Sequence, residues 1–301
     1  MKPTTVIVAT DFSEPAAVAV ARAAEIARRH ETELVVVHAS APTPIIANAN
    51  KEAVISSSER LQAMQQIRRA NAERRLAALV EELNGNGLKV RGEILDGAPT
   101  HAIPAYAGER NAGLLVTGAR GLTDDRMFII GSVAEGIVRR ARTNVLVVRG
   151  DGARDGFQRI LVATDLTQAS EAVIPMSLAI ASADADAELM HVVDWGLSAP
   201  EVSGSHGSPL PDFEELWKEA VDEARTELDG FVERAGRTGS TIRHRVVEGV
   251  AAVEILKHVK AEDVDLLVVG KSNEDPPMHE SVAERLVRQA PCSVLVARQL
   301  S

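Results

Sequence analysis

The chain contains an internal duplication, and this feature constrains its fold more than any other. Four segments of the first half return in the same order in the second half: residues 6–16 as 160–170, 34–39 as 187–193, 112–118 as 264–270, and 132–149 as 281–298. The offset between the copies falls from 154 residues (position 6 to 160) to 149 (position 132 to 281), as small changes in loop length would produce. Four ordered matches indicate a tandem repeat, and 301 residues suit two domains of about 150 residues each.

Short apolar, β-branched runs alternate with helical patterns within each copy. Such alternation is typical of a parallel sheet with right-handed crossovers. The sequence therefore predicts an α/β fold of two tandem open-sheet domains, residues 1–150 and 157–301, joined by a short linker. In the first copy we expect strands at 5–10, 33–38, 88–95, 113–118 and 144–149, and helices at 14–30, 52–84, 99–109 and 132–142.

The longest helical pattern, residues 52–84, ends where Asn and Gly alternate. It carries Leu61, Met64 and Ile67 among charged residues, so we expect it to cover one face of the sheet. The alternative is that part of this helix forms a lid or a partner surface over the ligand-binding edge.

Composition excludes several classes of protein. A formal net charge of −10 and an aromatic content of 3% argue against nucleic-acid binding, which requires basic surface and stacking side chains. The first residues lack the apolar run of a signal peptide, and no apolar stretch is long enough to span a membrane. We therefore expect a cytoplasmic protein with no membrane partner. Cys292 is the only cysteine of the sequence, which excludes a disulfide framework and favours a buried structural thiol.

Thr10 and Asp11 directly follow the first predicted strand. In open parallel sheets, ligands bind beyond the carboxyl ends of the strands, where the strand order reverses. A carboxylate at that place can accept hydrogen bonds from ribose hydroxyls or an adenine amine. The alternative is that Asp11 caps the following helix.

A glycine pattern, Gly118-x2-Gly121-x9-Gly131-Ser132, follows the fourth predicted strand. Glycines allow the backbone to approach an anion closely, and Gly131-Ser132 begins a helix whose free N–H groups attract negative charge. Ser132 could cap that helix or donate its hydroxyl to a phosphate, and Arg120 adds positive charge. Together these residues indicate a two-sided site for a polyphosphate, whereas a glycine-rich turn with a serine cap is the simpler alternative.

This glycine pattern resembles the full ATP-binding signature of the universal stress protein family. VIVATDFSEPA at residues 6–16 resembles the family's opening strand with its acidic residue, and Asp96-Gly97-x-Pro99 resembles the turn before its third helix. The resemblance extends over essentially the whole chain as a tandem pair. It implies a five-stranded parallel sheet in each domain, with strand order 3-2-1-4-5 and helices on both faces. It also implies an intramolecular pseudo-dimer paired through the last strands, 144–149 and 293–297, and leaves open a further homodimer.

The resemblance further implies which residues bind an adenine nucleotide in the first domain. Those that would line the adenosine are Ala9, Thr10, Asp11, Ala39 (through its backbone, at the adenine edge), Thr117 and Gly118. Those that would hold the phosphates of ATP, with Mg²⁺ as the accompanying ion, are Arg120, Gly121, Gly131, Ser132 and Val133.

The second copy departs from this signature. It keeps Thr164, Asp165 and Gly270, but Asn273 replaces the second glycine, and Glu280-Ser281 replaces the Gly-Ser step. The loop between them is three residues shorter and carries Glu274, Asp275 and Glu280. Because close like charges repel by several kcal/mol at an effective dielectric constant of about 20, we expect no ATP binding of the family's kind there. The sequence predicts one triphosphate site per chain.

Histidines give weaker indications. His38 and His191 occupy matching strand ends, but one histidine per domain does not form a metal site. We therefore expect both to be ordinary hydrogen-bonded residues at strand ends. Asp275 and His279 lie four residues apart, and a low-affinity metal site formed by them is an alternative.

The leading interpretation is a stress-response, nucleotide-sensing protein that binds ATP in its first domain, with no catalytic residue assigned. One alternative is an interaction protein that does not depend on nucleotide. Others are a slow ATPase and an adenylating enzyme, and the latter would need a catalytic constellation that the sequence lacks.

Overall fold

The computed structural model describes residues 3–40, 51–85, 87–120, 130–150, 156–167, 173–194, 213–235, 242–271 and 281–298, with backbone alone at 51–61, 213–214 and 235. The chain divides into two compact units near residue 152. Each unit is an α/β domain with a parallel sheet, as the repeat predicts.

The first domain alternates five strands with four helices among its described residues. Its elements are β1 (Thr5–Ala9), α1 (Glu14–His30), β2 (Glu33–Ser40), α2 (Lys51–Gly85), β3 (Val90–Asp96), α3 (Pro99–Glu109), β4 (Leu114–Gly118), α4 (Ser132–Arg140) and β5 (Val145–Val148). All neighbouring strands pair in parallel, in the order β3-β2-β1-β4-β5. The predicted strand order is therefore confirmed.

The second domain repeats this arrangement. Its elements are β6 (Arg159–Thr164), α5 (Val173–Ile180), β7 (Asp186–Val193), α6 (Phe213–Ala235), β8 (Ile242–Glu248), α7 (Ala251–Ala261), β9 (Leu266–Lys271), α8 (Val282–Gln289) and β10 (Ser293–Arg298). Its strands lie in the order β8-β7-β6-β9-β10, again parallel.

The core of the first domain consists of aliphatic strands and a small-residue helix face. Residues 6–8, 34–37 and 114–116 are fully buried, which fits central strands covered on both sides. Helix α1 faces them with alanines, including Ala19, Ala23 and Ala27, each fully buried. Small side chains allow close approach of helix and sheet, so this core is built largely from aliphatic residues in a sequence with an aromatic content of only 3%.

Among the side chains that the structure describes, helix α2 covers the sheet with those of its second half. Ala72, Leu76 and Leu83 are buried, whereas residues 62–71 are exposed apart from the half-buried Gln65. A helix of 35 residues is about 52 Å long, roughly twice the length of an eight-residue strand. Its first half therefore extends beyond the carboxyl edge of the sheet, and the predicted covering role applies only to the second half. The alternative of a lid or partner surface remains open for the first half.

Gly113, just before β4, provides a test of this packing. A Cβ atom at this position would lie 2.7 Å from both the Pro3 Cα and the Thr4 N. Because both are main-chain atoms, Gly113→Ala must displace the backbone, and we expect the free energy of unfolding to fall by about 1–3 kcal/mol.

Gly108→Ala is the matched control, since no atom lies within 4 Å of a Cβ built there in α3. It should leave stability unchanged or raise it by up to about 1 kcal/mol, because alanine favours helix. Urea denaturation of both variants measures the difference. Equal stability of the two would contradict the close contact at Gly113.

Candidate functional site

A cavity of about 330 Å³ opens at the carboxyl edge of the first domain's sheet, a volume within the range of small-molecule sites. Ten of the eleven residues named from the sequence line it: Ala9, Thr10, Asp11, Ala39, Thr117, Gly118, Arg120, Gly131, Ser132 and Val133. The eleventh, Gly121, lies outside the described residues. The fold thus brings segments far apart in sequence to one cavity, while their role in binding a ligand stays a prediction.

Further residues that the sequence did not assign to the site also line the cavity: Ala16, His38, Pro99, Ile103, Ala119 and Ala134. Most are apolar and give the cavity a largely hydrophobic wall. The sequence does contain a pattern that indicates α3 as part of the cavity wall. Pro99 begins that helix, and Ile103 follows four residues later on the same face.

Helix α4 points its N-terminus at this cavity. Gly131 is the N-cap residue, with φ −69° and ψ 149°, and among the described residues no side chain caps the helix. Gly131 N donates to the Ala119 carbonyl at 2.8 Å, which joins the helix start to the end of β4. The first-turn residues Ser132 and Val133 line the cavity, so N–H groups without intrahelical partners and the positive end of the helix dipole face it.

Gly118 ends β4 beneath the start of α1. A Cβ atom there would lie 3.0 Å from the Pro15 carbonyl oxygen and 3.3 Å from the Arg120 carbonyl oxygen. These are tighter than ordinary contacts with backbone atoms, so glycine allows α1 to begin directly over the strand end. Gly118 therefore shapes the cavity whatever ligand occupies it.

The turn between β1 and α1 shows whether Asp11 caps the following helix. Ser13 is the N-cap of α1, and its hydroxyl accepts from Ala16 N at 3.3 Å. Asp11 Oδ1 accepts in turn from Ser13 N at 3.0 Å and from Ser13 Oγ at 2.5 Å. Asp11 thus supports the cap residue and is not the cap itself, and it lines the cavity as well.

The second domain contains the same turn. Asp165 Oδ1 accepts from Thr167 N at 3.1 Å and from Thr167 Oγ1 at 2.7 Å. This copy has lost the glycine signature but has kept the hydrogen bonds. The aspartate therefore has a structural role in both domains, and any ligand contact in the first is additional to it.

His38 and His191, which occupy matching positions in the two domains, are hydrogen-bonded strand-end residues, as expected. In the first domain His38 Nδ1 donates to the Thr10 carbonyl at 2.8 Å, and in the second His191 Nδ1 donates to the Thr164 carbonyl at the same distance. Each bond ties the end of one strand to its neighbour. Because the second domain keeps it without the glycine signature, this bond belongs to the scaffold.

The second domain differs at the helix that corresponds to α4. Helix α8 has Ser281 as its N-cap, with the hydroxyl accepting from Glu284 N at 3.2 Å. Ser132, the matching serine, is the first helical residue of α4 and makes no such cap. The replaced loop residues Asn273, Glu274, Asp275, His279 and Glu280 lie outside the described residues, so their predicted charge reversal and weak metal site stay predictions.

Two negative findings concern the part of the chain that the structure describes. It contains no group of three or more His, Cys, Asp or Glu side chains placed to hold a metal ion. Within the same residues no helix is long and apolar enough to cross a membrane.

Comparison with known proteins identifies relatives for both halves. The universal stress protein family model matches the chain twice, over residues 3–149 and 156–298. A universal stress protein of Methanocaldococcus jannaschii is 28% identical over 144 residues, which is 48% of this chain and 81% of the relative. A Staphylococcus aureus protein named after the same family is 32% identical over 166 residues, 54% of this chain and 94% of that protein.

A solved structure resembles the whole chain in fold. The crystal structure of a universal stress protein from Archaeoglobus fulgidus covers 99% of both chains with a TM-score of 0.69 and 17% sequence identity.

The support that Asp11 gives to the α1 cap can be measured without any ligand. Asp11→Ala removes the acceptor of two hydrogen bonds from Ser13, and we expect the free energy of unfolding to fall by about 1 kcal/mol. Asp11→Asn keeps an oxygen in the same place and should lose clearly less. Urea denaturation compares the two variants. An equal loss in both would show that charge, and not the hydrogen-bonded turn, is what Asp11 contributes.

Proposed function

Because the chain belongs to the universal stress protein family over both of its halves, we propose that its first domain binds ATP and that the protein acts as a nucleotide-responsive stress protein. One observation carries this proposal. The cavity at the carboxyl edge of the first sheet joins an apolar wall, a carboxylate and an uncapped helix N-terminus within about 330 Å³. An adenine ring, a ribose and a chain of phosphates require these three features.

The adenosine half of the ligand fits the side of the cavity formed by β1, β2 and α3. Apolar groups such as Ile103 and Pro99 suit the faces of a base. The backbone of Ala39 would meet the adenine edge, and the Asp11 carboxylate would accept from ribose hydroxyls. Thr10 and Thr117 are nearly buried at the strand ends and would complete this wall.

The phosphate half fits the N-terminus of α4. Ser132 and Val133 offer first-turn N–H groups, and the absence of a side-chain cap leaves that end of the helix to a ligand. Arg120 lies on the cavity wall and would supply the opposing charge. Gly121 and Gly131 would complete the phosphate contacts.

Magnesium fits this arrangement only through the nucleotide. Because the described residues hold no cluster of carboxylates or histidines suited to a metal, Mg²⁺ would be bound by the phosphate oxygens and water. When bound, Mg²⁺ would neutralise phosphate charge, while the chain's own groups orient the nucleotide.

A nucleotide switch needs two states that bind partners differently. ATP held by α4 and Arg120 would change the affinity of the protein for a partner. Pairing of the two domains through β5 and β10, and a further homodimer, are part of the same proposal. ATP hydrolysis is a separate possibility that an assay of phosphate release decides.

Nucleotide content is the first test. We expect the purified chain, once denatured, to release an adenine nucleotide detected by mass spectrometry. Equilibrium dialysis of the emptied protein with Mg-ATP should give one site per chain, and ATP should bind more tightly than adenosine by about tenfold or more, since its phosphates add charge-assisted hydrogen bonds. No retained nucleotide and no binding at millimolar Mg-ATP would favour the nucleotide-independent interaction protein.

Gly131→Glu tests the phosphate end alone. It places a carboxylate at the N-cap of α4, where the second copy has Glu280, and like-charge repulsion should abolish ATP binding. Gly131 has φ −69°, which any residue adopts, so we expect the fold to persist by circular dichroism.

Gly131→Ala is the matched control, because it adds a side chain without charge and should bind more tightly than Gly131→Glu. Unchanged ATP affinity of Gly131→Glu would show that the phosphates do not lie at α4.

A further inference from the structure

One residue directly follows the glycine at the end of the fourth strand of each sheet. It is Ala119 in the first domain and Lys271 in the second. The sheet registers confirm that the positions correspond, because Gly118 pairs with Val148 and Gly270 pairs with Ala297, which match in the repeat. The same place in two copies of one fold thus holds a methyl group in one and an ammonium group in the other.

Lys271 is buried and paired. Its side chain is 7% exposed, and its Nζ donates to Glu284 Oε1 at 2.6 Å, with the glutamate side chain 16% exposed. Glu284 lies in the first turn of α8, the helix whose N-terminus corresponds to that of α4. The ion pair therefore occupies the start of this helix, where we place the phosphates in the first domain.

The helix start is also capped. The Ser281 hydroxyl accepts from Glu284 N at 3.2 Å, so this first-turn N–H group has a partner within the chain. Both features that would attract an anion are thus already engaged within the second domain. The lysine pairs with Glu284, and the N-terminus of α8 is capped by Ser281. The carboxylate of Glu284 is tethered and competes with a free phosphate at high effective concentration.

The first domain has the same residues at the start of the helix, but an alanine in place of this lysine. Ala119 is 3% exposed and lines the cavity, and Glu135 matches Glu284 in the repeat. Glu135 instead accepts from Arg139 at 3.1 Å, one turn further along α4. A small residue at position 119 leaves room in front of the helix.

We propose that the residue after the strand-end glycine determines which domain of this chain accepts a polyphosphate, and that the Lys271–Glu284 ion pair closes the second site. This inference rests on the proposed function, because it takes the corresponding place in the first domain to be the site of the ATP phosphates. It assigns to Lys271 a role opposite to that of a phosphate-binding lysine, because its charge is already neutralised inside the protein.

Ala119→Lys places an ammonium group in the first domain where Lys271 lies in the second, with Glu135 at the position that matches Glu284. We expect the variant to lose ATP affinity by about tenfold or more, since the phosphates would have to displace a tethered carboxylate. Ala119→Ser, which adds only one oxygen, is the comparison at this position and should lose much less ATP affinity than Ala119→Lys. Thermal unfolding by circular dichroism shows whether each variant is folded.

The double variant Ala119→Lys, Glu135→Gln distinguishes charge pairing from bulk. With no carboxylate to hold it, the new lysine would be available to phosphate, and ATP binding should return. Continued loss of binding would show that side-chain volume closes the site and would overturn the role of the ion pair. Unchanged binding by Ala119→Lys alone would overturn the proposal as a whole.

Amine labelling tests the second domain without nucleotide. Treatment of the intact chain with acetic anhydride, followed by peptide mass spectrometry, should leave Lys271 protected while the exposed Lys257 is acetylated. Glu284→Gln should make Lys271 reactive. Labelling of Lys271 in the wild type would contradict the closed pair. Failure of the wild type to bind ATP would instead contradict the proposed function, so the two failures are distinguishable.

Discussion

Parallel pairing of β1 with both β2 and β4 is the constraint on which the rest of the structure depends. Strand β1 is buried on both sides, and its neighbours lead away in opposite directions along the sheet. The loops that leave β1 and β4 therefore diverge and open a crevice at the carboxyl edge. Residues 9–11 and 117–120 reach the same cavity for this reason, although more than a hundred positions separate them. Helix α4 then directs its uncapped end into that crevice.

The two domains show how one scaffold carries two different sites. Features that stabilise the fold are kept in both, including the bond from the strand-end histidine to a threonine carbonyl and the aspartate that supports the turn after the first strand. Features that face the crevice differ. Ala119 corresponds to Lys271, and the N-cap residue is Gly131 in α4 but Ser281 in α8. Side chains that hold the sheet together are constrained by packing, whereas those at the edge are free to change with the ligand.

The long helix α2 shows where sequence patterns are less informative. Its periodicity predicts a covering helix, yet among the described side chains those that pack on the sheet begin at Ala72. Met64 and Ile67 have the apolar character of core residues but lie 52% and 62% exposed. A pattern of apolar residues indicates which face is hydrophobic, but the length of the sheet beneath it decides how much of that face is buried.

The sequence by itself determined the duplication, the order of elements and most of the residues that line the cavity. Repeated segments and alternating apolar runs depend on local chemistry, and helix α1 begins and ends at the expected residues, 14 and 30. Only the tertiary structure decided which serine caps a helix, that Asp11 supports Ser13, and that Lys271 meets Glu284 across 13 positions. The Lys271–Glu284 pair depends on two elements that the fold brings together, whereas the turn and cap contacts join residues two or three positions apart and depend on the local backbone conformation.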